Sequence, residues 1–181
     1  MENVVLVNDQ DEQIGTADKS TVHSHDTPLH RGFSVFLFNQ QGELLIQKRA
    51  KGKTFAGFWS NSCCGHPREK ESYEDAAKRR LHEELGINDV VLKTILPNFR
   101  YEAEHEEVRE NEICPVMVAF FADNPVPDQG EVEEIKWISW IDFLGELDSN
   151  QGAYSTWSKE EAELLEENPT FHQLLSDLRG N

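Results

Sequence analysis

The residues best suited to chemistry lie in one short stretch, 61–67, which has the sequence Asn-Ser-Cys-Cys-Gly-His-Pro. Cys64 and His66 offer a thiol and an imidazole two positions apart, and Gly65 and Pro67 are typical of a turn. A turn is a poor place for core packing, whereas reactive side chains are commonly held on loops by a rigid scaffold. The stretch therefore predicts a nucleophile, an acid–base group or a metal ligand.

A predicted helix follows this stretch and carries many charged residues. The Ser-x-x-Asp sequence at 72–75 has the spacing of a capping box, and Gly86 is a typical C-terminal stop, so the helix is expected to run to Leu85. Arg80 and Glu84 are four positions apart and therefore share one face. A solvated helix with weak surface ion pairs is the simplest interpretation of such a pattern taken alone.

A group of histidines and glutamates could form a metal site with His66. Glu110 and Glu112 are two positions apart on a predicted strand, so both carboxylates project from one face. Two like charges beside an apolar strand are unfavourable unless a cation or a basic group neutralises them. With His23 and His30 they would make a nitrogen and oxygen site suited to Mg²⁺, Mn²⁺ or Zn²⁺. Spacing alone leaves open whether the histidines converge, because a lone histidine is more often a surface or core residue.

The composition excludes several classes of function. The 181 residues carry a net charge of −17, from 34 acidic and 17 basic side chains, which argues against binding to nucleic acid or to an anionic membrane. Three cysteines, two of them adjacent, do not make a disulfide framework and favour a reducing compartment. The N-terminus does not resemble a secretory signal, and apolar runs fall short of the roughly 20 residues of a membrane helix. We expect a cytoplasmic protein with a small-molecule partner, as a monomer or homodimer.

The elements that must position these residues are strands with a few helices, which favours a mixed-sheet α/β (α+β) fold in one domain. Strands are predicted at 4–7, 13–17, 32–38, 43–49, 90–96, 99–102, 111–121 and 134–140. Further helices are predicted at 141–147, 159–167 and 171–178. Loops are expected at 19–29, 50–59 and 103–109.

The pattern from Gly65 to Ile87, Gly-x5-Glu-x7-Arg-Arg-Leu-x-Glu-Glu-x-Gly-Ile, closely resembles the Nudix box. Arg80 stands where that family places a catalytic glutamate. With Cys-Gly-His-Pro at 64–67 and Glu-Asn-Glu-Ile-Cys-Pro at 110–115, the chain resembles the type I isopentenyl-diphosphate isomerases over 19–157. The resemblance implies a Nudix-like α/β/α sandwich with a mixed sheet. It also implies a single domain over 1–181, in which an N-terminal hairpin and C-terminal helices are additions to the Nudix fold.

The resemblance also implies roles for the residues that match the family's motifs. The acid–base groups would be Cys64, Glu112 and Tyr101. The diphosphate contacts would be Lys19, Arg49, Lys53 and Arg80, with Lys51 competing for the place of Lys53. One divalent metal (Mn²⁺, Mg²⁺ or Zn²⁺) would be held by His23, His30, His66, Glu110 and Glu112. A Mg²⁺ that bridges the diphosphate would have Glu84 in its shell, and Trp157 would cover the allyl cation.

The implied reaction interconverts isopentenyl diphosphate and dimethylallyl diphosphate through a tertiary carbocation. An unactivated alkene is a weak base, so the site needs a well-placed acid and protection from water. We expect Glu112, backed by Tyr101, to handle the proton on one face and Cys64 on the other; which of them acts first stays open. A metal and nearby cations are expected to favour the thiolate of Cys64, and Trp157 is expected to stabilise the cation through its ring face.

Two alternatives belong to other functional classes. The box also suits a Nudix hydrolase of a nucleoside diphosphate, although Arg80 and the Cys/His stretch argue against it. A non-catalytic diphosphate-binding module would explain the altered box but gives no reason for the set of Cys64, His66, Glu110 and Glu112.

Overall fold

The computed structural model describes residues 2–105 and 108–179. Its strands are β1 Asn3–Val7, β2 Gln13–Asp18, β3 His30–Arg31, β4 Phe33–Phe38, β5 Glu43–Arg49, β6 Trp59–Ser60, β7 Cys63–Gly65, β8 Leu92–Leu96, β9 Arg100–His105, β10 Val108–Ile113, β11 Val116–Phe120 and β12 Val132–Ser139. Its helices are α1 Lys19–Val22, α2 Tyr73–Leu85, α3 Trp140–Ser149, α4 Thr156–Glu166 and α5 Pro169–Arg179, with a 3₁₀ turn at Gln151–Ala153. No helix in these two ranges is long and apolar enough to cross a membrane.

The larger sheet is mixed and lies between helices. Its strands follow the order β12-β5-β4-β11-β8, with β6 paired to β5 and β7 to β4; β4 and β11 run parallel. Residues of β4 alternate between two apolar clusters, as expected for a strand buried on both faces. Phe36 and Phe38 contact Phe143 of α3 and Phe171 of α5, whereas Val35 belongs to the cluster that includes α2. Helices therefore cover both faces, and the predicted α/β/α sandwich with a mixed sheet is confirmed.

The smaller sheet has the strand order β2-β1-β3-β10-β9. Its first two strands are the predicted N-terminal hairpin. His30 in β3 lies opposite Leu6 of β1 on one side and opposite Glu112 of β10, in parallel, on the other. This register brings a histidine from early in the chain beside a glutamate from its second half.

Two chain segments pass side by side from the smaller sheet to the larger one. The first runs from β3 through Gly32 into β4, and the second runs from β10 through Cys114 and Pro115 into β11. Backbone hydrogen bonds join them at the crossing, from Gly32 N to Ile113 O and from Ser34 N to Pro115 O. The prediction of one strand over 111–121 is therefore wrong, because proline lacks the N–H that a continuous ladder needs.

Two predicted loops and the predicted turn at 61–67 contain regular structure. The 19–29 segment begins with α1, which Asp18 caps by accepting a hydrogen bond from Ser20 N. The stretch with the two cysteines is not a turn, because Cys63–Gly65 forms β7 against β4. The acidic segment 103–109 forms the facing ends of β9 and β10, and its positions 106 and 107 lie outside the described residues.

Helix α2 has the predicted ends. Ser72 is the N-cap, and its hydroxyl accepts from Asp75 N at 3.1 Å and donates to the Asp75 carboxylate at 2.7 Å. Gly86 ends the helix in the left-handed region with φ of 66°, where a side chain would be strained. These caps fix where the charged face of α2 begins and ends.

We expect Ser72→Ala to lower the free energy of unfolding by about 1 kcal/mol, because the N–H of Asp75 loses its acceptor. Urea denaturation followed by circular dichroism measures the change. Ser176→Ala, at an exposed position within α5, is the control and should shift stability by no more than about 0.5 kcal/mol. Equal effects for the two variants would contradict the role of the cap.

Candidate active site

A cavity of about 880 Å³ opens between the two sheets, the 50–57 loop and α2. Twelve of the thirteen residues singled out from the sequence line it: Lys19, His23, Arg49, Lys53, Cys64, His66, Arg80, Glu84, Tyr101, Glu110, Glu112 and Trp157. The thirteenth, His30, is fully buried beside Glu112. Lys53 rather than Lys51 lines the cavity, and Lys51 is exposed. The structure thus brings together residues spread over most of the chain.

The histidines and glutamates converge, which sequence spacing could not establish. One ligand atom from each of five residues lies within 4.8 Å of all the others, in a group made of His23, His30, His66, Glu110 and Glu112. His66 Nε2 lies 2.9 Å from Glu112 Oε1, and His30 Nε2 lies 3.5 Å from the same oxygen. The predicted one-face projection from β10 is confirmed, because Glu110 and Glu112 are both buried while Asn111 between them is partly exposed.

The polar atoms of this group suit a divalent cation better than they suit one another. His23 Nε2 and Glu110 Oε2 are 3.0 Å apart and buried, yet neither has a hydrogen-bond partner in good geometry within the described ranges. The second nitrogen of His30, Nδ1, lies 2.9 Å from Pro28 O, so it donates to the carbonyl and leaves Nε2 with its lone pair. Ligating histidines commonly have their other nitrogen fixed in this way. The residues present therefore fit a metal.

Electrostatics within the group holds its central carboxylate in the charged form. Burial alone would raise the pKa of Glu112, but His66 and His30 reverse this effect and lower its pKa well below the ordinary value. Burial opposes protonation of His30, yet its contact with Glu112 raises the pKa of His30 overall. The pKa of His66 is lowered, because burial outweighs the attraction of Glu112.

Gly32 makes room for this carboxylate, and sequence reasoning did not identify it. A methyl group on Gly32 would lie 1.7 Å from Glu112 Oε2, a distance that no pair of non-bonded atoms tolerates. Gly32 also lies at the crossing between the sheets, where its N–H is bonded to Ile113 O. A glycine between two strand segments was the available signal, because it marks a close approach of another group.

Four basic side chains, Lys19, Arg49, Lys53 and Arg80, form a cationic wall in the same cavity. Arg49 donates from Nε to Thr54 O at 2.6 Å and from Nη1 to Cys64 Sγ at 3.2 Å. Lys19 pairs with Glu2 at 2.9 Å. Lys53 and Arg80 pair with carboxylates that also line the cavity. Cations held on loop, strand and helix in this way can receive an anion.

The pair predicted on one face of α2 is present and largely buried. Arg80 contacts Glu84 at 2.6 Å, and the two side chains are only 13% and 5% exposed. The pair is therefore not one of the weak ion pairs of an exposed surface. Burial would lower the pKa of Arg80, but Glu84 and Glu131 reverse this and raise its pKa. Gln47 donates to the other oxygen of Glu84 at 3.1 Å. Gln47 also lines the cavity and was missed, since one glutamine in an apolar strand carries no motif.

The two adjacent cysteines point to different environments. Cys63 is fully buried in the cluster on the α2 side of the sheet, as expected for a thiol that is not part of the site. Cys64 faces the cavity, beside Arg49. Burial raises the pKa of Cys64 to about 12, and Arg49 opposes this shift only in part. Burial therefore favours the protonated thiol at Cys64, and the effect of a metal on its ionisation stays a prediction.

The aromatic residues shape the apolar part of the cavity. Tyr101 in β9 lies directly opposite Glu112 in β10, and burial, then the two nearby carboxylates, raise its pKa well above the ordinary value. Trp157 is 2% exposed, donates from Nε1 to Asn61 Oδ1 at 3.2 Å and packs edge-on against Phe55. The Trp157 ring also lies 5.6 Å from the Arg49 guanidinium carbon. The cationic wall and an aromatic wall made of Tyr101 and Trp157 thus line the same cavity.

Carboxylates outnumber cations in the cavity lining. Within the described residues, the four cations of the lining are Lys19, Arg49, Lys53 and Arg80. The six carboxylates are Glu2, Asp18, Glu84, Glu110, Glu112 and Glu131. A cavity with this balance accommodates a polyanion only with added positive charge, and the His/Glu group is where a divalent cation would supply it.

Comparison with known proteins agrees with this architecture. Residues 28–158 match the NUDIX domain family. The chain is 47% identical, over 92% of its length and 87% of the relative's, to the isopentenyl-diphosphate Delta-isomerase of Saccharopolyspora erythraea. It is 38% identical to the protein of that name from Klebsiella pneumoniae subsp. pneumoniae, over 99% of this chain and 98% of the other.

Solved structures show the same fold at low sequence identity. A crystal structure of a Deinococcus radiodurans protein superposes with a TM-score of 0.72 at 20% identity, over 90% of this chain and 98% of the other. The MutT protein of Methanosarcina mazei superposes with a TM-score of 0.63 at 22% identity, over 76% and 93%. Fold and sequence thus lead to one assignment: the chain belongs to the isopentenyl-diphosphate Delta-isomerase family and is built on a NUDIX domain.

Proposed function

We propose that the protein interconverts isopentenyl diphosphate and dimethylallyl diphosphate by adding a proton to one carbon and removing one from another. The observation that carries this proposal is that two acid–base groups from different sheets, Cys64 of β7 and Glu112 of β10, line one cavity together with a cationic wall. The names of the relatives favour the same reaction. A small isoprenyl diphosphate is the proposed partner, and the cytoplasm remains the predicted location.

In this mechanism the diphosphate lies against Lys19, Arg49, Lys53 and Arg80, which leaves the hydrocarbon end towards the aromatic wall. The thiol of Cys64 and the carboxylate of Glu112 differ in protonation, so one can give a proton while the other takes one. Tyr101 is the cross-strand neighbour of Glu112 and would back that carboxylate during proton transfer.

The tertiary cation formed between these steps must be kept from water. Trp157 presents an aromatic ring that attracts a cation by about 1–2 kcal/mol in a desolvated site. This energy is small beside the barrier for protonating an alkene, so exclusion of water by Trp157, Tyr101 and Phe55 has to supply much of the protection.

For the metals, we propose Mn²⁺, Mg²⁺ or Zn²⁺ in the group of His23, His30, His66, Glu110 and Glu112, and a Mg²⁺ near Glu84 when diphosphate is bound. A bound divalent ion would supply positive charge that offsets the excess of carboxylates. Other residues of the chain position two of these ligands. Pro28 O accepts a hydrogen bond from His30, and Gly32, which has no side chain, leaves room for the Glu112 carboxylate.

The alternative of a nucleoside-diphosphate hydrolase is disfavoured by the contacts of Arg80. Its guanidinium occupies the carboxylate face of α2 and pairs with Glu84, so fewer carboxylates remain there to hold the cations that hydrolysis requires. A non-catalytic module gives no role to the cavity thiol of Cys64.

Incubation of the purified protein with isopentenyl diphosphate and Mg²⁺ should yield the dimethylallyl isomer, detected by NMR or mass spectrometry. Cys64→Ala should lower turnover about a thousandfold, because an acid–base group is lost. Cys63→Ala, whose thiol faces the other side of the sheet, is the matched control and should keep most activity. Near wild-type turnover by folded Cys64→Ala would refute the mechanism, and nucleotide hydrolysis without isomerisation would refute the function.

Gly32→Ala should weaken Mn²⁺ binding by about tenfold or more, because the added methyl group displaces Glu112. Isothermal titration calorimetry measures the affinity, and thermal unfolding checks that the variant folds. Gly145→Ala in α3 is the control, since a methyl group there meets no atom within 4 Å. If Gly32→Ala binds Mn²⁺ as tightly as the wild type, Glu112 is not a ligand.

Arg80→Glu restores the usual Nudix box and should raise KM for isopentenyl diphosphate by about tenfold or more, because a charged hydrogen-bond donor becomes a like charge. Steady-state kinetics gives KM and kcat separately. Lys78→Glu makes the same charge change on the exposed face of α2, where Lys78 pairs with Glu74, and should leave KM nearly unchanged. An unaltered KM in Arg80→Glu would show that Arg80 does not contact the diphosphate.

A further inference from the structure

Two of the four cavity cations share one carboxylate that neither the motifs nor the proposed reaction uses. Glu131 precedes β12, and its Oε1 accepts from Lys53 Nζ at 2.5 Å. Its other oxygen, Oε2, accepts from Arg80 Nη2 at 2.8 Å. One carboxylate in the cavity lining therefore joins the 50–57 loop to helix α2.

The backbone of Glu131 holds the same loop at its start. Ala50 N donates to Glu131 O at 3.2 Å, and Glu131 N donates to Asp128 O at 3.0 Å. The loop between β5 and β6 includes Gly52 and Gly57 in the left-handed region, with φ of 84° and 79°. A loop of this composition does not fix a long side chain by itself.

The two cations depend on Glu131 to different extents. Arg80 is 13% exposed and also contacts Glu83 and Glu84. Lys53 is 34% exposed, and Glu131 is the one ion-pair partner that the structure gives it within residues 2–105 and 108–179. Without Glu131, the ammonium of Lys53 would have the rotamer freedom of a surface lysine.

The carboxylate leaves both cations able to bind an anion. An ammonium has three N–H donors, and Glu131 takes one of those of Lys53. A guanidinium has five, and Glu84, Glu83 and Glu131 together take three of those of Arg80, so at most two N–H groups of Arg80 are left for an anion. Burial would raise the pKa of Glu131, but the hydrogen bonds from Lys53 and Arg80 reverse this and lower its pKa. The carboxylate is therefore charged, and its two oxygens set the distance between the two cations.

We propose that Glu131 is a positioning residue that fixes the spacing of Lys53 and Arg80, so that this pair receives the diphosphate of the substrate as a preformed unit. The inference rests on the proposed function, because it assumes that this wall binds a diphosphate. Preorganised side chains bind more tightly because less freedom is lost on association. Electrostatic repulsion acts in the opposite direction, since a carboxylate beside an anion disfavours binding.

The direction of change in a single variant separates these two effects. Glu131→Ala should bind inorganic pyrophosphate about tenfold more weakly in the presence of Mg²⁺, measured by calorimetry. KM for isopentenyl diphosphate should rise by a similar factor, while kcat stays within about threefold because no reacting group is changed. Glu133→Ala is the matched control: Glu133 is two residues further on and pairs with Lys48 at 2.7 Å, and neither residue lines the cavity.

A double-mutant cycle tests whether Glu131 acts through Lys53. In the Lys53→Ala background, Glu131→Ala should weaken pyrophosphate binding much less than it does in the wild type. Glu131→Asp, which keeps the charge but is one methylene shorter, should fall between wild type and Glu131→Ala. Thermal unfolding of each variant gives the folded fraction that enters the calorimetric fit.

Pyrophosphate binding that is equal or tighter in Glu131→Ala would overturn the inference, because the carboxylate would then merely compete with the anion. Equal losses with and without Lys53 would overturn it as well. Pyrophosphate binding is measured without turnover, so either result leaves isomerisation by the wild type as a separate test. Absence of isomerisation would count against the proposed function instead.

Discussion

The burial of two carboxylates on one face of β10 is the constraint on which the site depends. Glu110 and Glu112 are each 5% exposed, and buried like charges are costly unless positive charge or hydrogen bonds compensate for them. Three histidines lie beside these carboxylates: His23 directly follows α1, His30 is in β3 and His66 directly follows β7. A divalent cation held among them, as proposed, would supply the compensating charge. The short strand β3 is important here although it has only two residues. It places the His30 imidazole beside Glu112 and leads through Gly32 into β4.

The paired crossings explain how the groups proposed for proton transfer and the cations proposed for anion binding share one cavity. Each segment carries candidate metal ligands in the smaller sheet and then continues as a central strand of the larger sheet. Strand β7 pairs with β4 in the larger sheet and adds Cys64. Gly32 is the point of closest approach, where hydrogen at the α-carbon is the only substituent that leaves room for the Glu112 carboxylate. Cys64 and Glu112, the proton-transfer groups of the proposed reaction, therefore both lie on strands rather than on loops.

The sequence was sufficient for features that depend on local periodicity or capping. The ends of α2, the shared face of Arg80 and Glu84, and the common side of Glu110 and Glu112 all follow from spacing within one element. The convergence of the histidines does not, since it depends on the parallel register of β3 with β10, which no local pattern encodes. Gln47 and Glu131 were missed for a related reason: each is a single polar residue whose partner lies on another element.

The charge balance accounts for the exchange of a glutamate for Arg80. In a hydrolase, carboxylates on this helix hold the cations that activate water against a diphosphate. An isomerase needs the diphosphate only as an inert handle, so a fixed guanidinium serves better than another metal-binding carboxylate. In the proposed function, this guanidinium would bind phosphate without generating a nucleophile, and it reduces the negative charge of a cavity in a chain of net charge −17. The altered position in the Nudix box is thus consistent with retention of the fold and of anion binding together with loss of the conditions for hydrolysis.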